Sequence, residues 1–549
     1  MKRFIALLCL CVLALSAAGF YSYSQDSSLY KISKSLQVFG EVFRQVALNY
    51  VDQTDAEKLI DSATEGMLKN LDPYTSYIAE EDGDEMEIIT EGIYGGLGII
   101  VSTINDTLTV VGLNEGYTAQ RNGIRVGDQL FALDTVTTIR MPSSELRQYT
   151  RGKPGSKVTA TVLRAGKKQP IIFHLERQEI QLKNVTYSSV LPNGIGYIKL
   201  ERFSRQASSE VRTALETLRK QQPQLHGVIL DLRDNPGGLM DAAISICELF
   251  VPQSSIIVST RGRTPESERI YTSRRPPIEP TIPLAVMIND RSASASEIIA
   301  GAIQDLDRGI IVGEPSFGKG LVQTITPLPY NATLKMTTSK YYTPSGRCIQ
   351  KIDYDQRRKG VVALGDTNKI FRTIKGRIVH QSSGIRPDTI VSVKYAPAIN
   401  DLLRTNHIFR FATEYAAEHD SLPEQFIVTK TIIDRFLAYL QREKFVPQSS
   451  LSARLQQWET VSTGERLPAD ISKKFAELKA LAQKEQFKEL EKYRAELIDI
   501  LHDEIYERFY VRSRVVASAL TTDIQIQTAT KLLRNGVTYN AIMSGKGNH

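Results

Sequence analysis

The stretch Leu284-Ala285-Val286-Met287-Ile288-Asn289-Asp290-Arg291-Ser292-Ala293-Ser294-Ala295-Ser296-Glu297 decides how this chain is read. Five apolar residues in a row predict a short strand covered on both faces, and from Ser294 to Leu306 apolar residues return at helical spacing. The same alternation holds on either side. Gly227-Val228-Ile229-Leu230-Asp231-Leu232 precedes a helical stretch from Leu239 to Phe250, and a short strand from Gly309 to Val312 follows. From about Ile195 to Thr343 the sequence therefore predicts an α/β core of strands alternating with helices.

The texture changes outside this core. Between about Gly92 and Arg177, short β-type runs such as Gly95-Gly96-Leu97-Gly98-Ile99-Ile100-Val101 and Leu108-Thr109-Val110-Val111 are punctuated by glycine, which predicts a small β-rich domain. Residues 29 to 72 place Leu36, Phe39, Val42, Phe43 and Val46 at helical spacing, and Asp72-Pro73 ends the helical part. The last 150 or so residues, notably Ile471 to Tyr510, are rich in Lys, Glu, Leu and Ala with few glycines, and read as helical. At the start, Lys2 and Arg3 precede an apolar run from Phe4 to Leu15 and the small residues Ser16, Ala17, Ala18 and Gly19, the order of a secretory signal; Phe4 to Tyr21 alternatively reads as an uncleaved anchor. The expected organisation is residues 1–24 as signal or anchor, 25–90 helical, 91–180 β-rich, 181–395 the α/β core and 396–549 helical.

Composition narrows the function. In 549 residues, 42% hydrophobic and 23% charged, there is material for several cores, so wholesale disorder is excluded. The 68 basic against 61 acidic residues are scattered and form no patch that would suggest nucleic acid as a partner. Cys9 and Cys11 lie in the apolar leader, and Cys247 and Cys348 are too far apart in sequence for a zinc spacing; the seven histidines show none either, so no metal or other cofactor is expected.

Ser294, with Glu297 three residues on, fits a capping box, and a serine there can simply serve the first amides of a helix. The same place puts backbone amides and the positive end of the helix dipole beside the hydroxyl, where an oxyanion could be held. A nucleophilic serine needs a base, and no histidine falls between residues 227 and 379. Lys319, in Gly313-Glu314-Pro315-Ser316-Phe317-Gly318-Lys319-Gly320, is the candidate. A lysine of ordinary pKa, about 10.4, is almost wholly protonated at pH 7, so burial has to lower it. The octapeptide also imitates a phosphate loop. Gly320 stands where Ser or Thr would hold magnesium, however, and Leu321-Val322-Gln323-Thr324-Ile325 reads as a strand where a helix is required.

These residues together resemble the carboxyl-terminal processing (tail-specific) serine proteases. The resemblance covers residues 29 to 395 and is carried by Ser292 to Glu297 and by Gly313 to Gln323. It implies Ser294 as nucleophile, Lys319 as general base 25 residues later, and Gln323 assisting the lysine. Asp231-Leu232-Arg233-Asp234-Asn235-Pro236-Gly237-Gly238 resembles the family's oxyanion motif, which assigns Gly237 or Gly238 together with Ala295. Leu71 to Tyr77 resembles the lead-in to the protease, with Tyr74 where a histidine is common.

The β-rich segment resembles the family's PDZ domain, with Leu133-Asp134-Thr135-Val136 departing from its usual Asn-Gly turn. In Gly96-Leu97-Gly98-Ile99 the glycines let successive amides face a carboxylate while Leu97 and Ile99 line an apolar pocket. Asp305 matches a residue some schemes place beside the pair, but eleven residues along a helix is about 16 Å of rise, so it is read as support for the fold or the lysine loop.

The expectation is an exported, periplasmic serine endopeptidase that selects proteins by free apolar C-termini. Pairing of two copies through the helical termini and inner-membrane association through the N-terminus are the partner expectations. A catalytically silent PDZ scaffold and a membrane-surface chaperone are the rival readings.

Overall fold

The computed structural model describes residues 29–80, 84–358, 369–381, 384–393, 395–423, 425–445 and 469–545, with 454, 455 and 458. The expected leader, with Cys9 and Cys11, lies outside them. Contacts divide the chain into two units.

The first unit draws on residues 29–80 and 323–337. Residues 29–49 form a helix, and a second, Ala56–Leu68, starts at Asp55, whose Oδ1 accepts the amides of Glu57 and Lys58 at 3.0 and 3.2 Å. Asp72 closes the helical part by accepting the amides of Tyr74 and Thr75 on Oδ1, the turn that Asp72-Pro73 predicts. The chain then pairs Ser76–Ile78 antiparallel with Thr333–Lys335. Along the first helix Leu29, Ile32, Leu36, Phe39, Phe43 and Val46 recur at alternating steps of three and four, and all but Phe43 are exposed.

In the second unit, six strands in sequential order build the core sheet: β1 (Val185–Val190), β2 (Ile195–Leu200), β3 (Gly227–Asp231), β4 (Leu284–Ile288), β5 (Ile310–Gly313) and β6 (Thr389–Ile390). β1 is antiparallel to β2 and the others run parallel. Side chains alternate between the faces. Ile198, Leu230, Val286 and Ile311 go to one face, against α1 (Ala207–Gln221), α2 (Met240–Cys247) and α3 (Ala295–Asp305). Tyr197, Ile229, Met287 and Val312 go to the other, against Ile526, Ala529 and Leu533 of α4 (Ile524–Arg534) and Tyr539 and Met543 of α5 (Gly536–Met543). This double cover explains why the strands read as unbroken apolar runs.

The C-terminal helical region is thus two bodies. Pro397–Arg404, His407–Ala417, Lys430–Arg442 and Arg494–Phe509 close on their own core around Phe411, Phe436, Leu440, Leu501 and Ile505, while α4 and α5 complete the layered sheet. Among the described residues no helix is long and apolar enough to cross a membrane.

The β-rich domain has a six-stranded sheet with Ile99–Ile104 at one edge, a pair Ile93–Gly96 with Gln178–Gln181, and a core of Leu97, Leu108, Val110, Leu130 and Leu146. The turn that departs from Asn-Gly is made by Asp134, which takes φ +49° and accepts the Thr159 amide on Oδ1 at 2.8 Å.

Candidate active site

Three chain segments leave the C-terminal ends of β3, β4 and β5 side by side. The one after β4 carries three serines in alternation, and burial separates them. Ser292 and Ser296 are fully buried and donate their hydroxyls to the carbonyls of Leu232 and Asn235, each at 2.9 Å. Ser294 alone is half-exposed. It sits at the N-cap of α3 with φ +54° and ψ −112°, a conformation that non-glycine residues rarely adopt and that persists only where the surroundings impose it.

Glu297 is what imposes it. Fully buried three residues into α3, its carboxylate accepts four hydrogen bonds: on Oε2 from the amides of Ser294 at 2.8 Å and Lys319 at 2.9 Å, on Oε1 from the Gly318 amide at 2.8 Å and the Ser316 hydroxyl at 2.5 Å. One oxygen atom therefore serves the backbones of both sequence-predicted catalytic residues. Burial pushes the Glu297 carboxyl above the usual carboxylate range, outweighing the four donors.

Lys319 is half-buried between buried Gly318 and Gly320. Its loop is fixed on either side: the Gly318 carbonyl accepts from the Lys351 amide at 2.9 Å, and the Gly320 amide donates to Gln350 Oε1 at 2.7 Å. A side chain at Gly320 would stand 2.8 Å from the Gln350 nitrogen, which accounts for glycine where a phosphate loop has Ser or Thr. The following segment is the strand Leu321–Pro327, as expected. Gln323 falls in the first unit, where its Nε2 donates to Thr337 Oγ1 at 3.2 Å, and that hydroxyl donates to Asp72 Oδ1 at 3.2 Å. Asp305, at the far end of α3, pairs with buried Arg347 and accepts the Ser345 amide at 3.0 Å, a structural arrangement as read from the helix rise.

The turn after β3 presses directly on Ser294. A Cβ on Gly237, at φ +101°, would lie 2.9 Å from Ser294 Cβ and 3.0 Å from the Ala295 nitrogen. Buried Asn235 joins the two turns: its Oδ1 accepts the Gly237 amide at 2.9 Å, its Nδ2 donates to the Leu200 carbonyl at 2.8 Å, and its carbonyl accepts from Ala293 and Ser296. The Gly237 amide is thereby occupied, which leaves Gly238 as the other glycine of the expected pair. No acceptor among the described residues takes the amide of Ala295, the first of α3. A cavity of about 540 Å³ opens beside Gly237 and Gly238, walled by Ile88, Ile89, Lys199, Arg202 and Phe203.

In the β-rich domain, Gly98 takes φ +80° between the paired strand ending at Gly96 and the sheet strand beginning at Ile99. Leu97 goes into the core and is 1% exposed, so of the two side chains expected to line a pocket only Ile99 stays half-exposed. That strand is paired on one side only within its sheet.

Sequence reasoning took Glu297 only as a capping partner and did not single out Asn235. The available signal for Glu297 was a carboxylate on a helix whose neighbours are nearly all apolar. Cys247 and Cys348 are free thiols, as expected, and burial pushes both up. Among the described residues no group of His, Cys, Asp and Glu could hold a metal.

Comparisons with known proteins bear on the same segments. Residues 194–358 match peptidase family S41, 95–172 a PDZ domain, 398–533 the C-terminal helical domain of probable PDZ-proteases, and 16–82 the N-terminal domain of the activating protease CtpB. The chain is 40% identical over 321 residues to a carboxy-terminal-processing protease of Bartonella bacilliformis, which spans 58% of this chain and 73% of that protein. It is 32% identical over 327 residues to carboxy-terminal processing protease CtpA of Bacillus subtilis, covering 59% and 67%. A solved photosystem II D1 C-terminal processing protease shares 23% identity across 68% of this chain and 97% of its own, with a TM-score of 0.36.

Proposed function

This chain belongs to peptidase family S41, the carboxy-terminal processing proteases, and from that membership we propose that it is exported and cleaves proteins presenting a free apolar C-terminus, with Ser294 as nucleophile and Lys319 as general base. The observation that carries the reading is the shared carboxylate: Glu297 Oε2 accepts the amides of both residues, so the pair is fixed as one construction. Strain at Ser294, the one half-exposed serine of the three, supports it as the nucleophile.

In the proposed reaction the neutral Lys319 amine takes the Ser294 proton as Oγ attacks the scissile carbonyl carbon. The amides of Ala295 and of the Gly237-Gly238 turn receive the oxyanion, with Gly238 assigned the role because the Gly237 amide already donates to Asn235. Lys319 then protonates the leaving amine as the C–N bond breaks. Water, deprotonated by the same amine, attacks the acyl-enzyme carbonyl; the C–Oγ bond breaks, Lys319 returns the proton to Ser294 Oγ, and the new C-terminal carboxyl group leaves. Gln323 is assigned to assist the lysine.

The PDZ domain supplies tail recognition in this reading. A free sheet edge at Ile99–Ile104 accepts an extended peptide by strand addition, and the Gly96 to Ile99 turn takes its terminal carboxylate. Residues 1–24 direct export to the periplasm. Residues 29–50 pair with a second copy: their apolar positions, spaced three and four apart, form a heptad seam.

The test uses an unstructured substrate ending in a free apolar carboxylate beside its C-terminally amidated twin, with the Ser294→Ala, Lys319→Ala and Gln323→Ala variants. The free-tailed substrate is expected to be cut preferentially, with loss of at least about a thousandfold in Ser294→Ala and Lys319→Ala. Equal cleavage of both substrates would remove the tail-sensing part. Tail binding without cleavage would favour a scaffold.

A further inference from the structure

The Gly-Gly turn leaves β3 directly after a cluster of buried charge. Asp231, the last residue of β3, is fully buried. Its Oδ2 accepts from Tyr197 Oη at 2.7 Å and Arg233 Nη2 at 2.6 Å, and its Oδ1 accepts the Arg233 amide at 2.9 Å and lies 3.4 Å from Lys199 Nζ. The other side of the Arg233 guanidinium reaches into the C-terminal helices: Nη1 donates to Asp523 Oδ2 at 2.6 Å and to Gln525 Oε1 at 2.9 Å. Asp523 is also the N-cap of α4, its Oδ1 accepting the amides of Gln525 and Ile526 at 2.8 and 3.0 Å.

Charge explains why Asp523 matters. Arg233 and Lys199 are two cations against the single anion Asp231; Asp523 supplies the second anion, and without it the cluster holds an unbalanced positive charge in a place poorly served by water. The consequence passes straight to the turn. In the peptide joining Arg233 to Asp234, the carbonyl accepts from Lys199 Nζ at 2.7 Å and the N–H donates to Asn289 Oδ1 at 3.0 Å, so one peptide plane links the ion cluster to the Ser294 loop.

We propose that Asp523 is a positioning residue for catalysis: by holding Arg233 it fixes the peptide that sets the Gly237-Gly238 turn against Ser294, which makes a side chain of the C-terminal helices part of the oxyanion apparatus. This rests on the Ser294/Lys319 reading above. Both functions of Asp523, helix cap and counter-ion, can be separated. Asparagine caps a helix as well as aspartate but carries no charge, whereas glutamate keeps the charge.

The experiment measures kcat and KM on the free-tailed substrate, with urea unfolding, for the full chain and for Asp523→Asn, Asp523→Glu and Ser294→Ala. Asp523→Asn is expected to lower kcat about tenfold or more, with KM within about twofold and the urea midpoint little changed, the signature of a misplaced oxyanion donor. Asp523→Glu is expected to recover most of that loss. Wild-type kcat in Asp523→Asn, beside an inactive Ser294→Ala, overturns this inference alone; so does a kcat that falls only in proportion to the loss of folded protein. A Ser294→Ala variant that still cleaves overturns the catalytic reading and this inference with it.

Discussion

Glu297 binds two chemistries into one residue. Its Oε1 and Oε2 each accept two hydrogen bonds, so replacing it with glutamine turns an amide NH₂ toward a pair of donors and leaves buried polar groups unpaired. Glu297→Gln is expected to cost about 3 kcal/mol in urea unfolding and to slow labelling of Ser294 by a fluorophosphonate more than tenfold, about the effect of one lost oxyanion donor or less. The pH dependence has a definite sign. Because burial raises this carboxyl above its ordinary 4.5, the folded state holds the proton more tightly than the unfolded state. Its contribution is fully present below the ordinary pKa and is lost as pH rises through the raised one. Unfolding free energies across that window should therefore fall with pH in the wild type relative to Glu297→Gln; parallel curves would contradict the raised pKa. Asp231 behaves oppositely. Burial works against its charge, but Arg233 and Lys199 prevail and hold its carboxyl well below the usual range, so its contribution persists until strong acid.

At the level of elements, the site is three turns after three parallel strands, and glycine is required where they crowd. Gly237→Ala places a methyl 2.8 Å from the Ala293 carbonyl oxygen and 2.9 Å from Ser294 Cβ at a φ that favours glycine, so kcat should fall at least tenfold, as when an oxyanion donor is displaced, while PDZ tail binding measured by calorimetry stays intact. Loss of tail binding as well would mean the substitution unfolds more than the turn. These turns were legible because strands covered on both faces leave continuous apolar runs, and the residues between them stand out. Ser294 and Lys319 could be named for that reason, whereas the role of the Gly-Gly turn came from the family resemblance. The links among them could not. That Glu297 faces Lys319, or that Asn235 ties Gly237 to the serine loop, depends on which strands lie adjacent, and neither side chain announces its partner 22 or two residues away. The Arg233–Asp523 contact spans 290 residues and has no local signal at all. The divided C-terminal region was hidden likewise: helical period is the same whether a helix packs on its neighbours or, like α4 and α5, on a sheet.

For the whole molecule, the exposed seam on the first helix makes a concrete expectation. Leu36→Glu with Phe39→Glu should convert a dimer to a monomer in sedimentation velocity; an unchanged sedimentation coefficient would remove residues 29–50 as the contact. Deleting residues 400–549 would not test association cleanly, since it strips Ile526, Leu533 and Tyr539 from one face of the core sheet. That same cover has a consequence in time. A polypeptide is made from its N-terminus, and Ser294 and Lys319 are synthesised long before α4 and α5, the last helices of the layered core. Until those helices arrive the sheet lacks its cover on one face and Arg233 lacks Asp523, so the nascent chain carries the proposed nucleophile and base in an unfinished setting. With Asp523 placed as proposed, the order of synthesis withholds the finished site until α4 has been made.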